Sequence, residues 1–171
     1  MSVVVKRLTK AMGSEILELS RLLMDCVDGG ASVSFMSPLS LEKACAFWRG
    51  IADGIECGKR VLLVAKEAES IIGTVHLLLD LPENQPHRAE VSKMLVYRGA
   101  RRRGVGAALL RAAEEQAREL GKSLLVLDTA SADAERLYAR LGWVRVGVVP
   151  DYALLPGGGF CDTTFFYRRL I

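Results

Sequence analysis

A turn rich in arginine and glycine, near the middle of the chain, has the composition of a site for a phosphorylated ligand. Arg101, Arg102 and Arg103 offer forked donors that suit phosphate oxygens. Gly104 and Gly106 allow a ligand to approach the backbone closely, because they carry no side chain. The turn is therefore predicted to bind an anion, and a solvated basic turn that caps a helix is the alternative.

Two common phosphate-binding motifs do not fit this turn. Gly99 and Gly104 have the spacing of a Walker A loop, but Val105 and Gly106 stand where that loop requires lysine followed by serine or threonine. A dinucleotide fingerprint would need a third glycine beyond Gly104 and Gly106. Any anion site here must follow another pattern, Arg101-x-x-Gly104-x-Gly106.

A predicted strand and a predicted helix must position the turn. Residues 89–97 are largely apolar and form the strand, and helical periodicity then runs from Val105 to Leu120, where Gly121 ends it. A helix that begins directly after the turn directs its unpaired N–H groups and the positive end of its dipole at a bound anion. Alternation along the strand predicts one face made by Glu90, Ser92, Met94 and Val96.

The other elements follow from periodicity, caps and turn residues. Their predicted order is β-α-α-β-β-β-α-β-α-β-β, within a single domain over residues 1–171. Outside the central strand and helix, the predicted segments are a strand over 2–8, a helix over 16–27, a helix capped by Ser40, a hairpin of 59–66 and 70–80, a strand over 124–128, a helix capped by Thr129, Ser131 or Asp133 and stopped by Gly142, a strand over 143–149, a loop with Tyr152 and Gly157 to Gly159, and a strand over 162–171.

Composition narrows the classes of function. Half of the 171 residues are hydrophobic, a quarter are charged and the net charge is only +3, so we expect a globular protein with neither nucleic acid nor membrane as a partner. The four cysteines form no C-x-x-C pair and only two histidines accompany them, so we expect reduced thiols and no metal site. The short apolar start precedes Lys6 and Arg7, the wrong order for a signal peptide, and we expect a cytoplasmic protein.

Two motifs carry a family resemblance. Arg101-x-x-Gly104-x-Gly106 is similar to the Q/R-x-x-G-x-G/A signature of the GNAT superfamily of acetyl-CoA-dependent N-acetyltransferases, and Leu137-Tyr138-x-x-x-Gly142-Trp143 resembles that family's helix beyond the thioester. The chain departs from the family at Arg98, where proline is common. The resemblance covers the whole chain and implies an α/β GNAT fold: a mixed, mostly antiparallel sheet of about seven strands with helices on both faces.

The resemblance implies acetyl-CoA as co-substrate. The strand would pair with the pantetheine arm as an added strand through its backbone, and the turn would bind the phosphates. The cofactor-binding residues expected on this basis are Met94, Leu95, Val96, Arg101, Arg102, Arg103, Gly104, Val105, Gly106 and Ala107.

Acetyl transfer to an amine requires a neutral nitrogen and a proton for the departing thiolate. The resemblance makes Glu90 a candidate base, since many GNAT enzymes have a basic glutamate on this strand, and Tyr138 the candidate general acid. Asp128, at the end of the neighbouring strand, is the second candidate base. The alternatives are a salt bridge for Glu90, a helix N-terminal carboxylate for Asp128 and a packed ring for Tyr138.

A closer resemblance, to tabtoxin-resistance acetyltransferases, appears in four segments: 27–36, 88–96, 127–129, and 145–147 with Tyr152 shortly after. It implies that the acceptor is the amine of a small amino-acid-like toxin and makes Asp128 the more specific candidate of the two carboxylates. Phe35, Met36 and Tyr152 are then the expected acceptor-binding residues. The likeness departs between Asp128 and Tyr138, where this chain looks one residue shorter, so the identity of the toxin stays open.

Three functions remain in competition. The leading hypothesis is N-acetylation of a small-molecule amine in a ternary complex, and resistance to a toxin or antibiotic is one role open to such an enzyme. The alternatives are a protein lysine or N-terminal acetyltransferase and a non-catalytic acyl-CoA-binding sensor. A lid formed by residues 29–38 and 152–159 would favour a small molecule, whereas an open groove would favour a peptide. A homodimer is left open.

Overall fold

The computed structural model describes residues 3–170, in which seven strands form one sheet. The strands are β1 Val3–Leu8, β2 Arg60–Glu67, β3 Ser70–Leu78, β4 Arg88–Val96, β5 Leu124–Thr129, β6 Val144–Leu154 and β7 Phe160–Arg169, and the helices are α1 Gly13–Asp28, α2 Leu41–Glu56, α3 Val105–Glu119 and α4 Ala132–Arg140. The sheet order is β1-β2-β3-β4-β5-β7-β6, and only β4 and β5 run parallel. The predicted α/β fold with a mixed, mostly antiparallel sheet is confirmed. Residues 2 and 171, assigned to the terminal strands from sequence, lie outside the described residues.

The sheet separates two hydrophobic cores. Residues 61–65 of β2 are all buried, and they alternate between the two faces. Val61 and Leu63 belong to the core under α3, whereas Leu62 and Val64 belong to the core under α1 and α2. Strands that are buried on both faces read as continuous apolar runs, as this one does. The middle of the sheet is therefore held rigidly from both sides.

The two parallel strands separate soon after they meet. β4 and β5 pair at only three positions, from Arg88 with Leu124 to Glu90 with Val126. Beyond Glu90, β4 continues along β3 and β5 continues along β7. The facing edges of residues 91–96 and 127–129 therefore lack a strand partner, and a cleft opens between them.

A bulge interrupts β4 and corrects one prediction. The register with β3 shifts between Ser92 and Leu95, and Lys93 has a φ of 49°. The extra residue reverses the alternation: Val91 and Met94 face the core under α3, and Leu95 faces the core under α1 and α2. The prediction that Glu90, Ser92, Met94 and Val96 share one face is therefore wrong.

The start of α3 depends on glycines. Gly104 caps the helix with a φ of 82°, in the left-handed region that glycine adopts at little cost. Gly73 on β3 lies under the same helix: a Cβ there would stand 3.0 Å from Val105 Cγ1 and 3.1 Å from Leu109 Cδ1. The bare backbone of Gly73 therefore sets how closely the first turns of α3 approach the sheet.

The ends of other elements also differ from or refine the predictions. Of the three cap candidates for α4, Ser131 accepts the N–H of Ala134 at 3.3 Å. Ser40 caps α2 as predicted, accepting from Lys43 at 3.2 Å. Tyr152 does not lie in a loop, since β6 continues to Leu154 through an irregularity in its pairing with β7.

We expect Gly73→Val to destabilise the protein by about 2 kcal/mol, because a branched side chain would overpack the contact between β3 and α3. The measurement is the free energy of urea unfolding. Gly99→Val is the matched control: no atom lies within 4 Å of a Cβ there, and we expect a change of less than about 0.5 kcal/mol. Equal stability of the two variants would contradict the close packing at Gly73.

Candidate functional site

A cleft of about 1020 Å³ lies where β4 and β5 separate. Its walls come from the second half of β4, the turn and first residues of α3, the end of β5, α4, and the loop after α1. Most of the residues that the sequence singled out line it: Met94, Leu95, Val96, Arg101, Arg102, Gly104, Val105, Gly106, Ala107, Asp128, Tyr138 and Tyr152. Four others do not: Phe35, Met36, Glu90 and Arg103.

The turn before α3 brings two of its three arginines to the cleft. Arg101 lines it and donates from Nε to the Val96 carbonyl at 3.3 Å, and Arg102 also lines it. Arg103 instead pairs with Glu67 on β2. The unpaired N–H groups at the start of α3 add a partial positive charge to the same region. This end of the cleft is suited to an anion.

Gly106 marks the meeting point of three elements. A Cβ on this residue would lie 3.0 Å from Leu137 Cδ2 of α4 and 3.6 Å from Met94 Sδ of β4. The missing side chain lets α4 pack against the first turn of α3. Because Tyr138 follows Leu137, this contact also fixes the position of Tyr138 relative to the arginine-rich turn.

Tyr138 is both a core residue and a cleft residue. Its ring lies 5.8 Å from Trp143 and 5.5 Å from Phe166, and only 4% of the residue is exposed. It lines the cleft, and its hydroxyl makes no hydrogen bond within residues 3–170. Burial raises the pKa of the phenol well above its ordinary value, and the Asp128 charge raises it further. The hydroxyl therefore remains protonated at neutral pH and can donate a proton.

Asp128 lies in the cleft at the end of β5. The Thr163 hydroxyl on β7 donates to Asp128 Oδ2 at 2.7 Å and so orients the carboxylate. The cap of α4 is Ser131, so capping does not engage Asp128. The charge of Asp128 also acts on Tyr138 and on Lys93. The Asp128 carboxylate is thus fixed in orientation and accessible from the cleft. It can accept a proton, or hydrogen bonds from an ammonium group.

Glu90 lies away from this constellation. Its carboxylate accepts from Arg88 Nη1 at 2.9 Å, and Arg88 Nε in turn donates to Gln85 at 3.0 Å. The bulge at Lys93 separates the face of Glu90 from that of Met94. The two predicted carboxylates therefore differ in their surroundings, since Asp128 lines the cleft and Glu90 is paired with Arg88 outside its lining.

Two segments close one side of the cleft. The loop after α1 contacts the β6–β7 hairpin through Ser32, whose hydroxyl donates to the Leu154 carbonyl at 3.3 Å and accepts from Cys161 Sγ at 3.4 Å. The Ser37 N–H donates to the Pro156 carbonyl at 2.9 Å. These bonds join the two segments from which a lid was predicted.

Of the three residues predicted to bind the acceptor, only one lines the cleft. Phe35 packs edge-on against Phe47 at 5.2 Å, and Met36 is 42% exposed, so neither lines the cleft. Tyr152 does line it, with its ring 5.9 Å from Phe165. From the loop, residues 29–34 face the cleft instead.

Lys93 lines the cleft but was not among the site residues predicted from the sequence. Its Nζ donates to Ser34 Oγ at 2.9 Å and lies 5.8 Å from the centre of the Phe47 ring, and the residue lines the cleft. Ser92 and Lys93 are consecutive polar residues in an otherwise alternating strand, and this break was the available signal for a bulge.

Other site types find no support in residues 3–170. No group of three or more His, Cys, Asp or Glu side chains there could hold a metal ion. None of the helices in that range has the length and apolar character needed to cross a membrane.

Comparison with known proteins gives one family and many similar structures. Residues 34–143 match the sequence profile of the acetyltransferase (GNAT) family. An N-acetyltransferase from Staphylococcus aureus Mu50 is 16% identical over 100% of both chains, with a TM-score of 0.82. At such low identity, the structural likeness shows a shared fold.

Two further structures differ in the acceptors that their names give. A ribosomal-protein-alanine N-acetyltransferase from Brucella melitensis is 21% identical over 97% of this chain and 99% of that one, with a TM-score of 0.81. A phosphinothricin acetyltransferase from Sinorhizobium meliloti, in complex with acetyl-CoA, is 19% identical over 99% of this chain and 89% of that one, with a TM-score of 0.79.

Proposed function

Because this chain belongs to the GNAT acetyltransferase family, whose members use acetyl-CoA, we propose that it acetylates a primary amine of a small molecule by direct transfer in a ternary complex. The observation that carries the proposal is the single cleft that holds the anion-binding turn, Asp128 and Tyr138 together. We take residues 1–171 as one acetyltransferase domain, since all seven strands of the described part join one sheet.

The residues of the cleft fit acetyl-CoA. The unpaired edge of residues 91–96 can accept the pantetheine arm as an added strand. The Val96 carbonyl is already engaged by Arg101, so the other backbone groups of this edge are the ones open to the arm. Arg101, Arg102 and the start of α3 suit the pyrophosphate.

Two side chains would move the protons of the reaction. An unperturbed alkyl amine is almost entirely protonated at neutral pH, and Asp128 would accept its proton directly or through water. The nitrogen then attacks the acetyl carbon, the carbon–sulfur bond breaks, and Tyr138 gives its proton to the departing thiolate. The Tyr138 phenol carries this proton at neutral pH, and solvent reprotonates the phenolate. The attacking nitrogen loses its second proton to water as the amide forms. Glu90 is the weaker base candidate because Arg88 engages it.

The closed side of the cleft favours a small acceptor over a peptide. The loop and hairpin are joined by the hydrogen bonds of Ser32 and Ser37, and a wall formed in this way suits a small acceptor better than an extended chain. The sequence resemblance to tabtoxin-resistance enzymes agrees with an amino-acid-like toxin as acceptor. The shared fold does not choose between acceptors, since similar structures are named for phosphinothricin and for a protein alanine.

The direct test is acetyl-CoA consumption with amino acids, aminoglycosides, polyamines, β-lactam amino-acid toxins and peptides. We expect turnover with a small amine and none with peptides. Turnover with peptides alone would favour a protein acetyltransferase. Tight acetyl-CoA binding without any turnover would favour a non-catalytic sensor.

Arg102→Ala should raise the dissociation constant for acetyl-CoA about tenfold, since a charge-assisted contact with phosphate is lost. Calorimetry gives the constant. Arg103→Ala removes the same charge from the same turn, but that side chain pairs with Glu67 outside the cleft, so we expect less than about a twofold change. Equal losses in both variants would mean that only overall charge matters.

Tyr138→Phe deletes one hydroxyl and keeps the packed ring. We expect kcat to fall by about 10²-fold or more while the affinity for acetyl-CoA stays nearly unchanged, as for loss of a general acid. The test is steady-state kinetics where chemistry limits the rate, with circular dichroism to check the fold. An unchanged kcat would assign the protonation to water.

Asp128→Asn and Glu90→Gln rank the two carboxylates by the same neutral substitution. We expect Asp128→Asn to lower kcat/KM for the amine by about 10²-fold or more, and Glu90→Gln to lower it less than about threefold, because only Asp128 lies in the cleft. Acetyl-CoA affinity serves as the control in both. The reverse order would make Glu90 the base.

A further inference from the structure

Lys93 is an isolated charge on the cleft wall. It is the one charged residue among positions 91–96 of β4, and it occupies the bulge with a φ of 49°. A non-glycine residue in this left-handed region costs on the order of 1 kcal/mol, and such strain is often found at functional sites. Because Lys93 is the residue inserted at the bulge, the bulge also determines that its side chain lies on the cleft wall.

The ammonium group of Lys93 is oriented by its neighbours, but not all of its hydrogen-bond donors are satisfied within the described part of the chain. Ser34 Oγ accepts one of its three donor hydrogens at 2.9 Å, and the face of Phe47 lies beside it at 5.8 Å. Within residues 3–170, Lys93 forms no ion pair. Partial burial lowers its pKa, since desolvation penalises the cation. An anion that enters the cleft would therefore bind this ammonium group favourably, because it would supply the missing ion-pair partner.

The charges around Lys93 come from several elements. Asp128 on β5 favours the cation, whereas Arg60 on β2 opposes it. His76 on β3 is buried, and burial together with Arg60 and Lys93 lowers its pKa to about 3, so it stays neutral. Within residues 3–170, Asp128 is therefore the negative charge that opposes the lowering of the Lys93 pKa, yet the two side chains form no ion pair.

We propose that Lys93 determines acceptor specificity by binding a carboxylate of the acceptor, with Ser34 beside it, while Asp128 binds the amine. The inference rests on the proposed function and narrows it: the acceptor carries an amine and a carboxylate in one small molecule, as an amino acid does. Opposite charges on the two walls of the cleft would orient such a molecule, since each end meets its complement. A polyamine or an aminoglycoside would place a positive charge against Lys93 and be rejected.

The test compares each amino acid that the enzyme acetylates with its carboxamide, which keeps the amine and loses the negative charge. The proteins are the wild type, Lys93→Met, which has a similar length without charge, and Lys93→Arg, which keeps the charge. We expect KM of the wild type for the carboxylate to be at least about tenfold below that for the carboxamide. Lys93→Met should abolish this difference by raising KM for the carboxylate alone, and Lys93→Arg should retain much of it.

The comparison across variants cancels the effect of the carboxamide on the basicity of the amine. If Lys93 only anchors the loop through Ser34, Lys93→Met would impair both acceptors equally, and the inference would be overturned. A wild type that prefers carboxamides or polyamines would also overturn it while leaving the proposed N-acetylation intact. Absence of turnover with any amine would remove both. Calorimetry should give the same acetyl-CoA affinity for Lys93→Met and the wild type.

Discussion

The separation of β4 from β5 is the constraint on which the site depends. Three parallel pairs hold the strands together up to Glu90, and then each strand follows its other neighbour. Backbone groups that a continuous sheet would satisfy are left unpaired on both edges, and these groups must be satisfied by a ligand or by water. A cleft with an extended hydrogen-bonding edge therefore follows from the topology, before any side chain is considered.

The bulge at Lys93 determines which side chains of β4 reach the cleft and which reach the two cores. One extra residue turns Met94 toward α3 and Leu95 toward α1, so the strand contributes to both cores within its last few residues. The same insertion gives Lys93 its place on the cleft wall beside Ser34. Lys93 and the arginine-rich turn before α3 thus lie close together in the chain, and Asp128 comes to the same cleft from β5.

The side chains of the site are fixed by contacts that come from the core. Tyr138 packs against Trp143 and Phe166, and its helix is located by the contact of Leu137 with Gly106. Asp128 is oriented by Thr163 from the adjacent strand. Because interiors are close-packed, these residues have little freedom to move apart. A site built in this way is positioned before its substrates arrive.

The sequence by itself determined the order of the elements, the cap of α2, the end of α3 before Gly121, and the turn of Arg101 to Gly106, because periodicity, capping and turn chemistry are local. It could not determine how far β4 and β5 stay paired or that Lys93 forms a bulge, since register depends on the neighbouring strands. Only the tertiary structure decided that Asp128 lies in the cleft while Glu90 pairs with Arg88, and that Phe35 packs against Phe47 while Lys93 lines the cleft. These outcomes depend on contacts between residues far apart in the chain, which the pattern along a single strand or helix does not encode.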